Sequence, residues 1–319
     1  MADPATPGPA GPPASPATGP GSGPVAGQLV DLARDIKLSH TVFALPFAAL
    51  GAVLAAAHRG AALRWTEAVL VAVCMVTART YAMTHNRLAD ARLDAANPRT
   101  AGRAVASGRV TRRTAGLTLA GCAAGFFAAA AGFWFAGANP WPLVLSPFVL
   151  AWLTLYSYTK RFTALCHLVL GVALALSPLA AAVAVDPAYL AHAPAWCLAA
   201  MVAGWVAGFD VLYALQDAAH DRKAGLFSLP ARIGNEPALW ISRLLHVLAV
   251  IALVLAWHAS PRLHTAFGAV TAVVAALLIV EHALVWRSKL NRLNLAFFAV
   301  NGVISLLLGV AGVLDVLTV

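Results

Sequence analysis

Charge is scarce in this chain: only 11% of its 319 residues are Asp, Glu, Lys or Arg. Soluble domains carry nearer one-quarter, so a water-soluble globular fold is excluded for most of the length. Cysteine is sparser still. The four present (Cys74, Cys122, Cys166, Cys197) lie in apolar segments with no CxxC pair, which argues against a zinc ribbon or a disulfide framework and for small core side chains. A basic stretch followed by an apolar core is missing from the amino terminus, so no secretory signal is expected there. What fills the sequence instead is hydrophobic residues, 61% of the total, with a mean hydropathy of +0.77. The net charge of +9 reads as membrane topology rather than as nucleic-acid affinity.

Residues 1–27 are almost wholly Ala, Pro, Gly, Ser and Thr. They bury too little apolar surface to offset ordering entropy, so a disordered tail is expected, with a single transmembrane domain over 28–319. Residues 28–38 place Leu29, Leu32, Ala33 and Ile36 opposite Asp31, Arg34 and Asp35, the pattern of a short interfacial helix. Nine apolar stretches of spanning length follow, near 40–57, 67–85, 114–135, 141–158, 163–185, 194–216, 239–257, 264–285 and 294–317. The expected fold is therefore an all-α, polytopic membrane bundle of about nine helices.

The basic residues test that count. With the amino terminus inside, eighteen Lys and Arg fall on the cytoplasmic side (Arg34, Lys37, Arg87, Arg92, Arg99, Arg103, Arg109, Arg112, Arg113, Lys160, Arg161, Arg222, Lys223, Arg232, Arg243, Arg287, Lys289, Arg292). Arg59, Arg64 and Arg262 fall outside, and Arg79 lies within the second span. Such asymmetry is the positive-inside pattern of a multi-pass inner-membrane protein.

Two acidic rows fall on that cytoplasmic side. Asn86, Asp90 and Asp94 are spaced four apart and share one helical face. Asp210, Tyr213, Asp217 and Asp221 repeat the device downstream, spaced three, four and four, as a second expected helical row. Stacked carboxylates repel one another, and a hard cation such as Mg²⁺ relieves them while leaving room for phosphate oxygens. Facing rows would make a divalent-metal cage for a diphosphate, with Asp90, Asp94, Asp217 and Asp221 carrying the chemistry. Arg79, buried in an apolar segment, needs an anionic partner: Asp90, Asp210 or a diphosphate oxygen. Arg99 and Arg103 in the Asn97-Pro98-Arg99-Thr100-Ala101-Gly102-Arg103 loop offer forked phosphate donors. Lys160, Arg222 and Lys223 join them as candidate diphosphate ligands, whereas Arg109, Arg112 and Arg113 read as topology charges. Tyr156 and Tyr158 suit either an interfacial belt or the π-face opposite a carbocation, a role open to Tyr213 as well. His85 and His220 flank the rows and are assigned no proton-transfer role. Small residues such as Ala78, Ala82, Gly171, Ala173 and Ala175 point to close helix approach.

These residues together resemble the UbiA superfamily of intramembrane aromatic prenyltransferases, whose signatures are N-x3-D-x3-D and a later D-x6-D-x3-D. The resemblance runs from about 34 to 317. It includes Ile36-Lys37, Arg79, the NPRT-x2-R loop, Tyr156-x3-Lys160-Arg161 and Ser228-x-Pro230-x3-Gly234. The stretches 39–48 and 97–103 resemble the 4-hydroxybenzoate polyprenyltransferase-like branch, which includes enzymes of menaquinone synthesis. The resemblance implies Mg²⁺-dependent transfer of a polyprenyl group from its diphosphate to an aromatic acid in quinone synthesis. The acid is 4-hydroxybenzoate by first choice or dihydroxynaphthoate as the alternative, and Lys37 is a candidate partner for its carboxylate. The lipid bilayer is the expected partner, and nucleic acid is not. Asn86-Arg87 departs from the Asn-Asp of many relatives, which puts a metal role at position 87 in doubt. Two other classes fit less well. A transporter would show broken-helix inverted repeats and charges nearer mid-membrane, and a phosphatidyltransferase would carry D-G-x2-A-R before its aspartates.

Overall fold

The computed structural model describes residues 23–36, 43–287 and 299–318, and among them it is helical with no strand. The helices are α1 (Val25–Asp35), α2 (Leu45–His58), α3 (Trp65–Ala96), α4 (Arg112–Gly137), α5 (Trp141–Thr159), α6 (Cys166–Val185) and α7 (Ala193–Ala214), then two short helices, α8 (Ala218–Lys223) and α9 (Leu229–Ile233), and finally α10 (Asn235–Ala259), α11 (Thr265–Arg287) and α12 (Asn301–Thr318). A 3₁₀ turn over Pro187–Ala191 joins α6 to α7. Eight of the described helices are long and apolar enough to cross a membrane, and α2 is a shorter apolar helix beside them. The polytopic all-α expectation holds.

Boundaries shift in informative places. The interfacial helix α1 starts at Val25, so the last residues of the expected tail are helical. α1 is pinned rather than merely adsorbed. Its Gln28 Oε1 accepts from the Thr111 amide (3.1 Å) and Thr114 Oγ1 (2.7 Å), capping the start of α4. Leu32 and Ile36 pack with Ala104, Val105, Val110 and Ala115 beneath the 97–111 loop.

α3 is the longest helix, at 32 residues. At 1.5 Å per residue it rises about 48 Å, well beyond the roughly 30 Å of hydrocarbon, so its last turns project into the interface. Those turns carry Asn86, Asp90 and Asp94. The expected span ended at 85, and the helix simply continues through the first motif.

α7 is the buried centre, packed between α6 and α10, with Trp205, Met201, Val202 and Leu198 almost wholly enclosed. Backbone approach is close where side chains vanish. A Cβ at Gly171 of α6 would strike the Ala203 carbonyl of α7, and one at Gly51 of α2 would strike the Pro178 backbone of α6. Small residues therefore serve packing here, as in membrane helix pairs generally.

The second acidic row is not one helix. α7 stops at Ala214, and the amides of Leu215, Gln216 and Asp217 bond to carbonyls three residues back (3.3, 3.3 and 3.0 Å). That tightened turn satisfies the last carbonyls of α7 and re-aims the chain before α8. Asp210 and Tyr213 thus belong to α7, while Asp217 stands at the N-terminal boundary of α8 without a side-chain capping bond and Asp221 sits within that helix. A continuous four-residue row was the wrong expectation, because 3₁₀ bonding rotates Asp217 off the α7 face.

The candidate active site at the acidic membrane face

The end of α3 and the α7–α8 turn meet through the 97–103 loop. Asn97 closes α3, and its side chain works in both directions. Oδ1 accepts the Arg99 amide (3.0 Å), and Nδ2 donates to Asp217 Oδ1 (3.0 Å). Arg99 then grips Asp217 with both branches of its guanidinium, Nε to Oδ1 at 2.8 Å and Nη2 against Oδ2, and Nη1 reaches the Tyr213 hydroxyl at 3.1 Å. Burial alone would push the Asp217 carboxyl up; these bonds outweigh it and hold the group below the ordinary carboxylate range. The two acidic motifs are therefore neighbours, joined by a latch.

The first row is held by cations. Asp90, only 1% exposed, takes Lys160 Nζ on Oδ2 and Arg161 Nη2 on Oδ1, each at 2.8 Å. Asn86 Nδ2 also donates to Asp90 Oδ2 (3.2 Å). Asp94 takes Arg103 Nη1 on both oxygens at 2.8 and 2.9 Å. Thr100 Oγ1 donates to the Asp94 carbonyl (3.1 Å), which folds the loop so that Arg103 returns to the helix. Lys160 is fixed from its backbone too, since its carbonyl accepts the Phe227 amide at 2.7 Å. Its ammonium also acts electrostatically on Asp221, which brings the fourth aspartate into the group. Burial drives the Asp221 carboxyl above its ordinary value despite Ser228, Lys160 and His220.

Other expected residues stand elsewhere or in other company. Asp210 Oδ2 accepts from His167 Nδ1 at 2.7 Å, and His167 Nε2 accepts the Leu229 amide at 3.1 Å. The backbone donor puts the ring proton on Nδ1, so His167 is a neutral clamp between α7 and α9. Arg79 donates to the Ile36 carbonyl (3.5 Å) and faces Tyr156 and Arg87 electrostatically. Arg87, the family departure, donates to Asp35 (2.9 Å) and Asn86 Oδ1 (3.0 Å), anchoring α1 to α3 and orienting the Asn86 amide. Tyr158 is half exposed, under the Arg161 guanidinium (4.9 Å) and edge-on to His85. Arg222 and Lys223 are exposed, and Arg222 Nε turns back to the Ala231 carbonyl (3.3 Å). The structure gathers neither against the four aspartates. Lys37 lies outside the described residues. Sequence reasoning passed over Arg161, Asn97 and His167 as site members; Arg161 and Asn97 stood inside quoted motifs, but only packing identified their partners.

Oxygen donors of this kind suit a hard divalent ion. Even so, among the described residues no three of His, Cys, Asp and Glu converge on one point. Lys160, Arg161, Arg103 and Arg99 interpose instead. The expected cage is thus an alternation of carboxylate and cation, in which each cation occupies ground that a metal or a phosphate would share.

The UbiA prenyltransferase family model matches residues 44–303. The chain is 31% identical to the 4-hydroxybenzoate octaprenyltransferase of Azotobacter vinelandii over 209 residues, 65% of this chain and 66% of that one. It is 31% identical to the enzyme of the same name from Chromohalobacter salexigens over 173 residues, 54% of each. The matched region thus spans only about half to two-thirds of these relatives' length. Among solved structures, a UbiA homologue from Aeropyrum pernix in the apo form is 33% identical at TM-score 0.78, with 87% of this chain and 98% of that one covered. A homologue from Archaeoglobus fulgidus bound to GPP and Mg²⁺ shares the fold at TM-score 0.64 and 19% identity, covering 90% and 99%.

Proposed function

Since the chain belongs to the UbiA prenyltransferase family, we propose that it transfers a polyprenyl group from polyprenyl diphosphate to an aromatic acid, 4-hydroxybenzoate by preference. The observation that carries this reading is the interleaving at one membrane face: four aspartates from α3 and the α7–α8 region alternate with Lys160, Arg161, Arg103 and Arg99. A diphosphate needs both signs, carboxylates to hold its metal and cations to meet its oxygens. The names of the Azotobacter and Chromohalobacter relatives support the acceptor.

Asn86, Asp90, Asp94, Asp217 and Asp221 are the residues that would hold Mg²⁺, which when bound supplies Lewis-acid neutralisation of the leaving diphosphate. Asp210, the sixth residue of the expected metal set, is already committed to His167 and stands outside it. Lys160, Arg161, Arg103 and Arg99 sit on these carboxylates and exchange part of that pairing for phosphate oxygens when the donor arrives. Arg79 adds a half-buried positive charge on the membrane side of the row, beside Tyr156. The allylic C–O bond breaks with its electron pair going to the diphosphate, the acceptor ring carbon bonds to the allylic carbon, and the ring proton is then lost. Tyr156 offers a π-face within the same group of residues. The donor's hydrocarbon tail lies in the bilayer, and the reaction face is cytoplasmic by the positive-inside distribution.

The test crosses purified protein with 4-hydroxybenzoate and dihydroxynaphthoate, donors of several chain lengths, and Mg²⁺ present or chelated. Metal-dependent diphosphate release with prenylated hydroxybenzoate is the expected result. Prenylation of the naphthoate alone would replace the acceptor, and transport without diphosphate release would remove the enzyme reading.

A further inference from the structure

Two of the three basic residues assigned to the opposite membrane face, Arg59 and Arg64, converge on one carboxylate there. Glu67 is 2% exposed and takes Arg59 Nη1 and Nη2 at 2.7 and 3.0 Å, Arg64 Nε and Nη2 at 3.0 and 2.7 Å, and the Arg64 amide at 2.9 Å. Glu67 and Asp94 lie 27 residues apart on α3, about 40 Å at helical rise, so this cluster is at the other interface and takes no part in the proposed reaction.

A cavity of about 390 Å³ opens beside it, lined by Arg59, Arg64, Glu67, Phe133, Val185 and Ala62 among others. The charged lining residues are two arginines and one carboxylate, an excess of one positive charge within the lining; Asp186, outside it, acts electrostatically on Arg59 and is bonded to His58 Nδ1 at 2.6 Å. Each guanidinium has five N–H donors. Arg59 makes three side-chain bonds, two to Glu67 and one to the Val185 carbonyl, and Arg64 makes three, two to Glu67 and one to the Ala136 carbonyl. Two donors on each remain for a ligand. Arg59 and Arg64 are both solvent-accessible at the cavity, with side chains 28% and 49% exposed. Glu67 orients both forks, and both arginines line the cavity.

The depth of the cavity identifies the kind of anion. Trp65 at the start of α3, Trp134 and Phe135 at the end of α4 and Trp141 at the start of α5 are all exposed around it, an aromatic belt of the kind that sits at lipid headgroup level. Phe133 and Val185 give the cavity an apolar wall. We propose that this outward cavity binds the phosphodiester of an anionic membrane lipid, with Arg59 and Arg64 as donors and the acyl chains lying along the α3–α4–α5 surface. The lipid clamps the ends of α2, α3, α4 and α6 together at the face remote from the reaction.

Full-length protein, delipidated in detergent, is the material for the test, with phosphatidylglycerol, phosphatidylcholine and inorganic phosphate as probes, read by native mass spectrometry and thermal unfolding. Phosphatidylglycerol is expected to be retained one to one and to raise the unfolding temperature, with matched phosphatidylcholine and phosphate having little effect. Ala62→Glu puts a carboxylate in the cavity without touching the Glu67 pairs, and Arg64→Gln removes one fork. Each is expected to weaken phosphatidylglycerol by about tenfold or more, the worth of one charge-assisted bond. If Arg64→Gln fails to fold, Ala62→Glu decides alone. Equal retention by wild type and Ala62→Glu overturns the site. Equal binding of phosphatidylcholine overturns the selectivity for an anionic lipid, and stabilisation by inorganic phosphate as strong as by the lipid overturns the lipid as occupant.

Discussion

Asp90→Asn is the perturbation that separates chemistry from scaffolding at the acidic face. The side chain keeps its shape but loses its charge where Lys160, Arg161 and Asn86 all donate to it. Oδ2 receives two of those donors, so an amide nitrogen there meets donors rather than acceptors. Two charge-assisted bonds are lost, nominally 1.5–3 kcal/mol each, but Lys160 and Arg161 are about 30% exposed and water takes over part of the work. The net stability loss is therefore about 1–3 kcal/mol, which leaves a folded protein. Turnover falls much further. Losing a charged ligand for the metal that would neutralise the leaving group costs about 4 kcal/mol in the transition state, roughly a thousandfold in rate. Diphosphate release at saturating donor, acceptor and Mg²⁺ measures the rate, and unfolding followed with a thiol-reactive dye on the free cysteines measures stability. A variant that keeps turnover within about tenfold of wild type, the effect of only 1.4 kcal/mol, would refute the assignment of Asp90 to the chemistry.

Three further outcomes are expected. Arg79→Lys keeps a charge but loses the planar fork, so donor affinity drops by about 1–3 kcal/mol in a binding titration; unchanged affinity with a lowered unfolding temperature would make Arg79 a brace between α1 and α3. Gly171→Ala drives a Cβ into the Ala203 carbonyl and separates α6 from α7, so the unfolding temperature falls by several degrees, the effect of about 1–3 kcal/mol of overpacking; an unchanged midpoint contradicts the close approach. The Asp217 carboxyl is held below its ordinary value in the folded protein, so the Arg99–Asp217 latch contributes fully above about pH 4 and is lost only as pH falls through the depressed value. In metal-free buffer the stability gap between wild type and Arg99→Gln therefore stays constant near neutrality and closes only in acid; a gap that closes between pH 6 and 8 points to another group.

The sequence by itself determined the membrane class, the approximate spans, and the first acidic row, because each rests on a local property: run length, hydropathy, or a four-residue helical period. It also placed both acidic motifs at one face, since the alternation of spans and basic loops leaves only one arrangement. Tertiary structure alone decided the pairings. Asp217 and Arg99 are 118 residues apart, and Asp90 and Arg161 are 71. No periodicity relates such residues; only the fold that brings the end of α5 and the α7–α8 turn up to the end of α3 and its following loop chooses which cation meets which carboxylate. The break of α7 at Ala214 was hidden for a related reason. The spacing of Asp210, Tyr213, Asp217 and Asp221 matches a continuous helix, but the His167 clamp on Asp210 and the Asn97–Arg99 grip on Asp217 pull the two halves toward different neighbours. The outward arginines were legible only as exceptions to a charge rule. Their convergence on Glu67 appears once the ends of α2 and α3 are folded against one another.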